Sequence, residues 1–176
     1  MVLATHQHCH VEFQGPVRLG RGFELDIPDR GTLIVGPGVD FRRGFICEIS
    51  NDGRVIIGGG CTFTAQALIQ CSTSIEIGTR CSFGQSTLIA DGIHRFRDHT
   101  RHWSEQGNEH REIRIGKDVM VNTKVTILNS IGDSAVIGAN AVVSKPIPAF
   151  CVAVGVPARV VEYFGPPELR PEGLDL

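Results

Sequence analysis

From Ile113 to Val160 the aliphatic residues recur at intervals of six. Ile115, Val121 and Ile127 lead three successive hexapeptides, and Ile131, Ile137 and Val143 lead three more. A second apolar or small residue follows four places later, at Val119, Val125, Ala135, Ala141 and Ile147. A helix repeats its apolar positions every three to four residues and a half-buried strand every two, so neither explains this beat. It is the period of a chain that coils as a prism of short strands, one face per hexapeptide, as in parallel β-helices. The leading aliphatic residue is expected to point into the lumen, with the small residue beside it easing the corner.

The beat extends upstream. Val35, Phe41 and Cys47 lead one coil, Ile57, Phe63 and Ile69 the next, and Ile77, Phe83 and Ile89 a third. Phe41, Phe63 and Phe83 fall at the same place in successive coils, which predicts an internal aromatic ladder. Asn51-Asp52-Gly53 is a turn signal and accounts for the longer step from Val35 to Ile57. An imperfect first coil is expected over 15–29. Residues 1–14 read as a polar arm outside the repeat, strand-like around Val11 to Phe13. After Ile89 the beat stops and resumes only at Ile115. The interruption, ADGIHRFRDHTRHWSEQGNEHRE, is polar and holds four of the seven histidines. Long excursions on rigid scaffolds are where binding and chemistry concentrate. The organisation is therefore one all-β domain over 1–176: arm 1–14, N-terminal coils 15–90, active-site loop 91–112, C-terminal coils 113–160 and tail 161–176.

Composition fits this reading. Glycine contributes 21 of 176 residues, as a chain with a corner in every hexapeptide requires. The formal net charge of −2 gives no reason to expect nucleic acid. No apolar stretch is long enough to span a membrane and the N-terminus lacks the order of a signal peptide, so a cytoplasmic protein without membrane insertion is expected. Cys47, Cys61 and Cys81 occupy inward slots and read as small buried hydrophobes, not as a disulfide framework. The His6-Gln7-His8-Cys9-His10 run lacks a second ligand pair at zinc-site spacing, and no metal is expected.

Asp91-Gly92-Ile93-His94, Ser104-Glu105-Gln106-Gly107, Ile115-Gly116-Lys117-Asp118-Val119-Met120 and the closing Ser144-Lys145 with Pro157-Ala158-Arg159 resemble the motifs of the hexapeptide-repeat acyltransferases. The branch that O-acetylates sugars and envelope glycans is the most similar. The resemblance covers about residues 30–162 and implies a left-handed parallel β-helix, an exception to the right-handed crossover rule. It further implies a homotrimer with active sites between subunits and acetyl-CoA as co-substrate. The acceptor implied is a small hydroxylated molecule, a sugar or glycan precursor. Two departures stand out: Met120 and Val121-Asn122 where the family has Trp and Ile-Gly, and Gly92-Ile93 in the loop where the branch has polar residues, including a second His.

Acyl transfer from a thioester to a hydroxyl needs a base for the hydroxyl proton and donors for the developing oxyanion. Imidazole titrates near neutrality and suits the first task. The resemblance assigns His94 as that base, with Asp91, or a carboxylate such as Glu105 or Glu109, to orient the ring. It places the pantetheine arm near Asn122, Ala139 and Ser144, and the nucleotide phosphates near Lys145 and Arg159, whose cations suit phosphate. Trp103 is expected either to stack on a sugar or adenine ring or to pin the loop. Two rivals share the scaffold. One is a non-catalytic binding or assembly subunit. The other is a γ-type carbonic anhydrase, disfavoured because no histidine follows His110.

Overall fold

The computed structural model describes the backbone strand of residues 2–5 and residues 8–174. The chain winds as a parallel β-helix with three faces. Among the described residues, the first face runs from Val2–Thr5 through Glu24–Ile27, Ile46–Ile49, Leu68–Cys71, Leu88–Ala90 and Thr126–Ile127 to Val142–Val143. The second stacks His10–Phe13, Thr32–Val35, Arg54–Ile57, Ser74–Ile77 and Ile113–Ile115, and continues as single bridges through Ile131 and Ile147. The third rises from Arg18–Leu19 and Asp40–Phe41 to Cys151–Val154. The described chain is otherwise free of helix except for the short turns Trp103–Glu105 and Pro167–Leu169.

The registers reproduce the hexapeptide beat. Val35, Ile57, Ile77 and Ile115 are directly paired up the second face. Phe41, Phe63, Phe83, Val121 and Ile137 align up the third, and Cys47, Ile69, Ile89, Ile127 and Val143 up the first. All of these side chains are buried. The expected aromatic ladder forms: Phe63 stacks on Phe41 at 5.4 Å and on Phe83 at 4.6 Å. Phe23 and Phe45 join it from the second inward slot, with Phe45 at 4.4 Å from Phe41. Cys47, Cys61 and Cys81 are buried free thiols. The Cys61 and Cys81 thiols donate to Gly78 O and Gly116 O, each at 3.1 Å, so they also satisfy corner carbonyls.

Three expectations change. The polar arm does not stand outside the repeat: His10–Phe13 pairs in parallel with Thr32–Val35, and Val2–Thr5 with Glu24–Ile27. The strand-like reading of Val11 to Phe13 is the one that holds. Among the described residues no strand stacks below this coil, and Phe13 remains 40% exposed. The glycine beside each leading isoleucine serves close stacking, not a left-handed backbone. A Cβ on Gly78 would lie 2.6 Å from the Gly116 carbonyl carbon. The left-handed residue comes two places later, at Gly60, Arg80, Asp118 and Ser134. Finally, Arg159–Tyr163 crosses the expected coil–tail boundary and folds back antiparallel on Cys151–Val154. The chain after it stays close, with Phe164 N–H bonded to Phe150 O at 3.0 Å.

Because Phe63 has aromatic neighbours above, below and beside it, Phe63→Ala leaves a void that three rings cannot all close. A loss of about 3–5 kcal/mol is expected in denaturant unfolding, with Phe63→Leu retaining most of it.

Candidate functional site

The interruption leaves the column where the first face turns into the second. Gly92–His94 and Asn108–His110 form an antiparallel hairpin, pairing His94 with Asn108 and Gly92 with His110. Gly92 is needed for the approach, since a Cβ there would lie 2.6 Å from His110 Nδ1. Beyond the hairpin, the buried Gln106 amide braces the loop. It accepts from Asp98 N at 3.0 Å and donates to Asp98 O and Arg101 O, both at 2.9 Å. The Asp98 carboxyl is held at about 2, low for a carboxylate, by hydrogen bonds from the Thr100 hydroxyl and then from Arg101 and the Thr100 N–H.

His94 is exposed at the hairpin tip. The Trp103 ring meets it edge-on, with centroids 5.0 Å apart. Trp103 is itself 49% exposed, so it both positions the imidazole and offers an open face. His102 is tied to Ser104.

Asp91 does not orient His94. It is buried, and its carboxylate accepts from the N–H groups of Ser72 at 2.8 Å, Thr73 at 2.7 Å and Ser74 at 3.0 Å. Its own carbonyl accepts from Arg111 N at 2.7 Å. Asp91 thus binds the root of the loop to the corner of the coil before it. Burial and the Asp91 charge together push the Cys71 thiol up to about 12. No carboxylate among the described residues hydrogen-bonds the His94 ring, Glu105 and Glu109 included.

The hairpin has a cleft on each side. One, of about 440 Å³, lies between His94, Asn108 and His110 and the outward row Asp26, Glu48 and Gln70 of the first face. The other, of about 220 Å³, joins Gly92, Ile93 and His110 to Leu128 and Ser144. Ser144 is therefore brought to the hairpin, and Lys145 follows it as an exposed residue. Asn122 and Ala139 are not. They sit at the corner where the third face turns into the first, across a strand of about four residues, or roughly 13 Å. Arg159 follows the uppermost turn on that side and bonds only its neighbour's carbonyl, Ala158 O, at 3.3 Å. The Asn122 amide donates to Ile137 O at 2.9 Å, a bond the usual glycine cannot make.

At this second corner the peptide N–H groups of Thr123 and Ala139 have no partner among the described residues. Thr123 and Ala139 lie between residues whose N–H groups are bonded, as Asn122 and Asn140 show. Two such donors therefore lie on adjacent coils. Sequence reasoning missed Thr123, although it stands in the same hexapeptide position as Ala139. Among the described residues no group of three or more His, Cys, Asp or Glu side chains is placed to hold a metal. His6 and Gln7 of the N-terminal cluster lie outside the described residues, and His10 bonds Glu12. No described helix is long and apolar enough to cross a membrane.

No family model matches the chain. Individual proteins do. A probable acetyltransferase of Mycobacterium tuberculosis is 31% identical over 156 residues, 87% of this chain and 52% of that protein. Galactoside O-acetyltransferase of Escherichia coli is 34% identical over 90 residues, 46% of this chain and 42% of the enzyme. The chain thus spans about half the length of these relatives or less. Among solved structures, the polySia-specific acetyltransferase NeuO superposes with a TM-score of 0.70 at 21% identity, covering 99% of this chain and 91% of that one. A hexapeptide-repeat acetyltransferase of Vibrio cholerae in complex with acetyl coenzyme A superposes at 0.62 and 22% identity, covering 88% and 73%. The chain thus shares the β-helix fold of these solved acetyltransferases, and its relatives and structural neighbours are hexapeptide-repeat acetyltransferases.

Proposed function

We propose that the protein moves an acetyl group from acetyl-CoA to a hydroxyl or amine of a sugar or related small acceptor, with His94 as general base. The observation that carries this reading is His94 itself: it is exposed at the rim of an open cleft and held by Trp103 rather than solvated freely. The galactoside and glycan relatives support a sugar acceptor, and the structure solved with acetyl coenzyme A supports the donor.

Acetyl-CoA supplies an activated carbonyl and a thiolate leaving group. The chain's own residues supply the rest. His94 accepts the acceptor's O–H proton as the new C–O bond forms, then returns a proton to the departing sulfur. Thr123 and Ala139 offer peptide N–H groups to the arm. Lys145 and Arg159 bind phosphate oxygens. Asp91 is a positioning residue that anchors the loop root.

His94 and the Thr123–Ala139 corner lie at opposite edges of the first face, so one chain does not close the site around both. A second copy that lays its hairpin against this corner completes it. The three-faced column and the family resemblance make a threefold assembly the fitting arrangement. Light scattering is expected to give three times the 19.1 kDa chain mass; a single-chain mass would refute the shared site.

Two substitutions separate chemistry from binding. His94→Ala is expected to lower turnover by roughly two to four orders of magnitude with acetyl-CoA affinity unchanged. Arg159→Ala is expected to weaken coenzyme A binding by about 1–3 kcal/mol, with a smaller loss for dephospho-CoA if its contact is to the ribose phosphate. Wild-type turnover in His94→Ala would end the proposed mechanism.

Asp91→Asn removes acceptor capacity from three N–H groups. The expected result is a stability loss of about 1–3 kcal/mol with the pH profile of turnover unmoved. A shifted profile without loss of stability would instead make Asp91 the carboxylate that tunes His94.

A further inference from the structure

On the corner that carries Thr123 and Ala139, the lower coils hold a different set of side chains. Arg18, Arg21, Arg42 and Arg43 line a groove of about 640 Å³ that runs over Thr64 and Gly84 to Thr123. One acidic side chain faces this cluster. Asp40 meets Arg42 at 3.3 Å and Arg18 at 3.5 Å. Arg21 and Arg43 have no side-chain hydrogen bond or ion pair among the described residues. In a chain whose formal net charge is −2, four guanidiniums against one carboxylate are a local concentration of positive charge.

The floor adds donors. Ala65 and Gln85 repeat the geometry of Thr123 and Ala139, each flanked by bonded N–H groups at Thr64 and Gln66, and at Gly84 and Ser86, while their own find no partner among the described residues. The Thr64 hydroxyl is buried at the groove and lacks a hydrogen-bond partner. Guanidinium forks and unpaired backbone N–H groups recognise carboxylate or phosphate oxygens. The volume is that of a small-molecule site.

Resting on the acetyl-transfer reading above, we propose that this groove is the acceptor subsite and selects an acceptor bearing an anionic group, a carboxylate or a phosphate. The anion lies against Arg21 and Arg43, and the rest of the molecule points along the corner toward Thr123, where the arm of the donor runs. A neutral sugar leaves four guanidiniums with one counter-charge and gains nothing from them.

The test is calorimetric titration of the full chain with glucose 6-phosphate, galacturonate and glucose at matched ionic strength. At least one charged sugar is expected to bind tenfold or more tightly than glucose, the two arms showing which anion is preferred. Its affinity should fall as salt is raised. Because the Arg21 and Arg43 side chains make no hydrogen bond or ion pair among the described residues, the double variant R21Q/R43Q should keep the unfolding midpoint and acetyl-CoA affinity of the wild type. It should nevertheless lose at least tenfold in affinity for the charged sugar. Equal binding of charged and neutral sugars, or a folded R21Q/R43Q that retains charged-sugar affinity, overturns the proposal. The two readings fail separately. A chain that binds the charged sugar through these arginines but never binds acetyl-CoA sinks the transfer reading alone. Acetyl transfer with no preference for charged acceptors sinks the anion subsite alone.

Discussion

The structure depends on one constraint: a coil of this column cannot satisfy its own backbone. Along a face, N–H and C=O groups pair with the coil above or below, as Thr32 N–H does with Gly53 O and Arg54 N–H with Thr73 O. Each coil is therefore stable only in register with its neighbours, and stability accumulates from coil–coil interfaces rather than from a central core. The side chains follow from that spacing. Identical slots fall directly over one another, so phenylalanine stacks on phenylalanine and glycine on glycine, and a bulky residue at a corner collides with backbone instead of bending away.

This constraint is also why so much of the fold was legible in the sequence. A strict period leaves a mark at every turn, and the leading residues from Val35 to Val143 were assigned to their faces by counting alone. What escaped was whatever breaks translational repetition. The first coil, open on one side, needs fewer apolar residues and so lost its signature. The strand Arg159–Tyr163 reverses direction, which no hexapeptide count detects. Phe23 and Phe45 were visible in principle, since they stand four places after a leading residue like Val119 and Val125.

The site was legible to a different degree. The loop showed itself as a gap in the beat, and His94 as a matched motif position. The role of Asp91 did not, because its partners are three peptide N–H groups eighteen or so residues earlier, and backbone donors leave no trace in side-chain identity. The same holds for the unpaired N–H row from Ala65 to Ala139. Its members have nothing in common as amino acids, and only the stacking makes them a set.

The three corners of the column differ in what they tolerate. Two keep four residues per turn from bottom to top, for example 36–39 and 78–81 at one and 42–45 and 122–125 at the other. Their backbones touch closely, as at Gly78 and Gly116, so an inserted residue would throw the coil above out of register. The corner after the first face instead holds four residues at 50–53, two at 72–73, and then the whole excursion that carries His94. Among the described residues it is the one corner whose length varies this widely. Evolution can lengthen, shorten or exchange what hangs there while every inward residue stays as it is. Whatever the excursion carries is thereby free to diverge at a rate that the ladders beneath it are not.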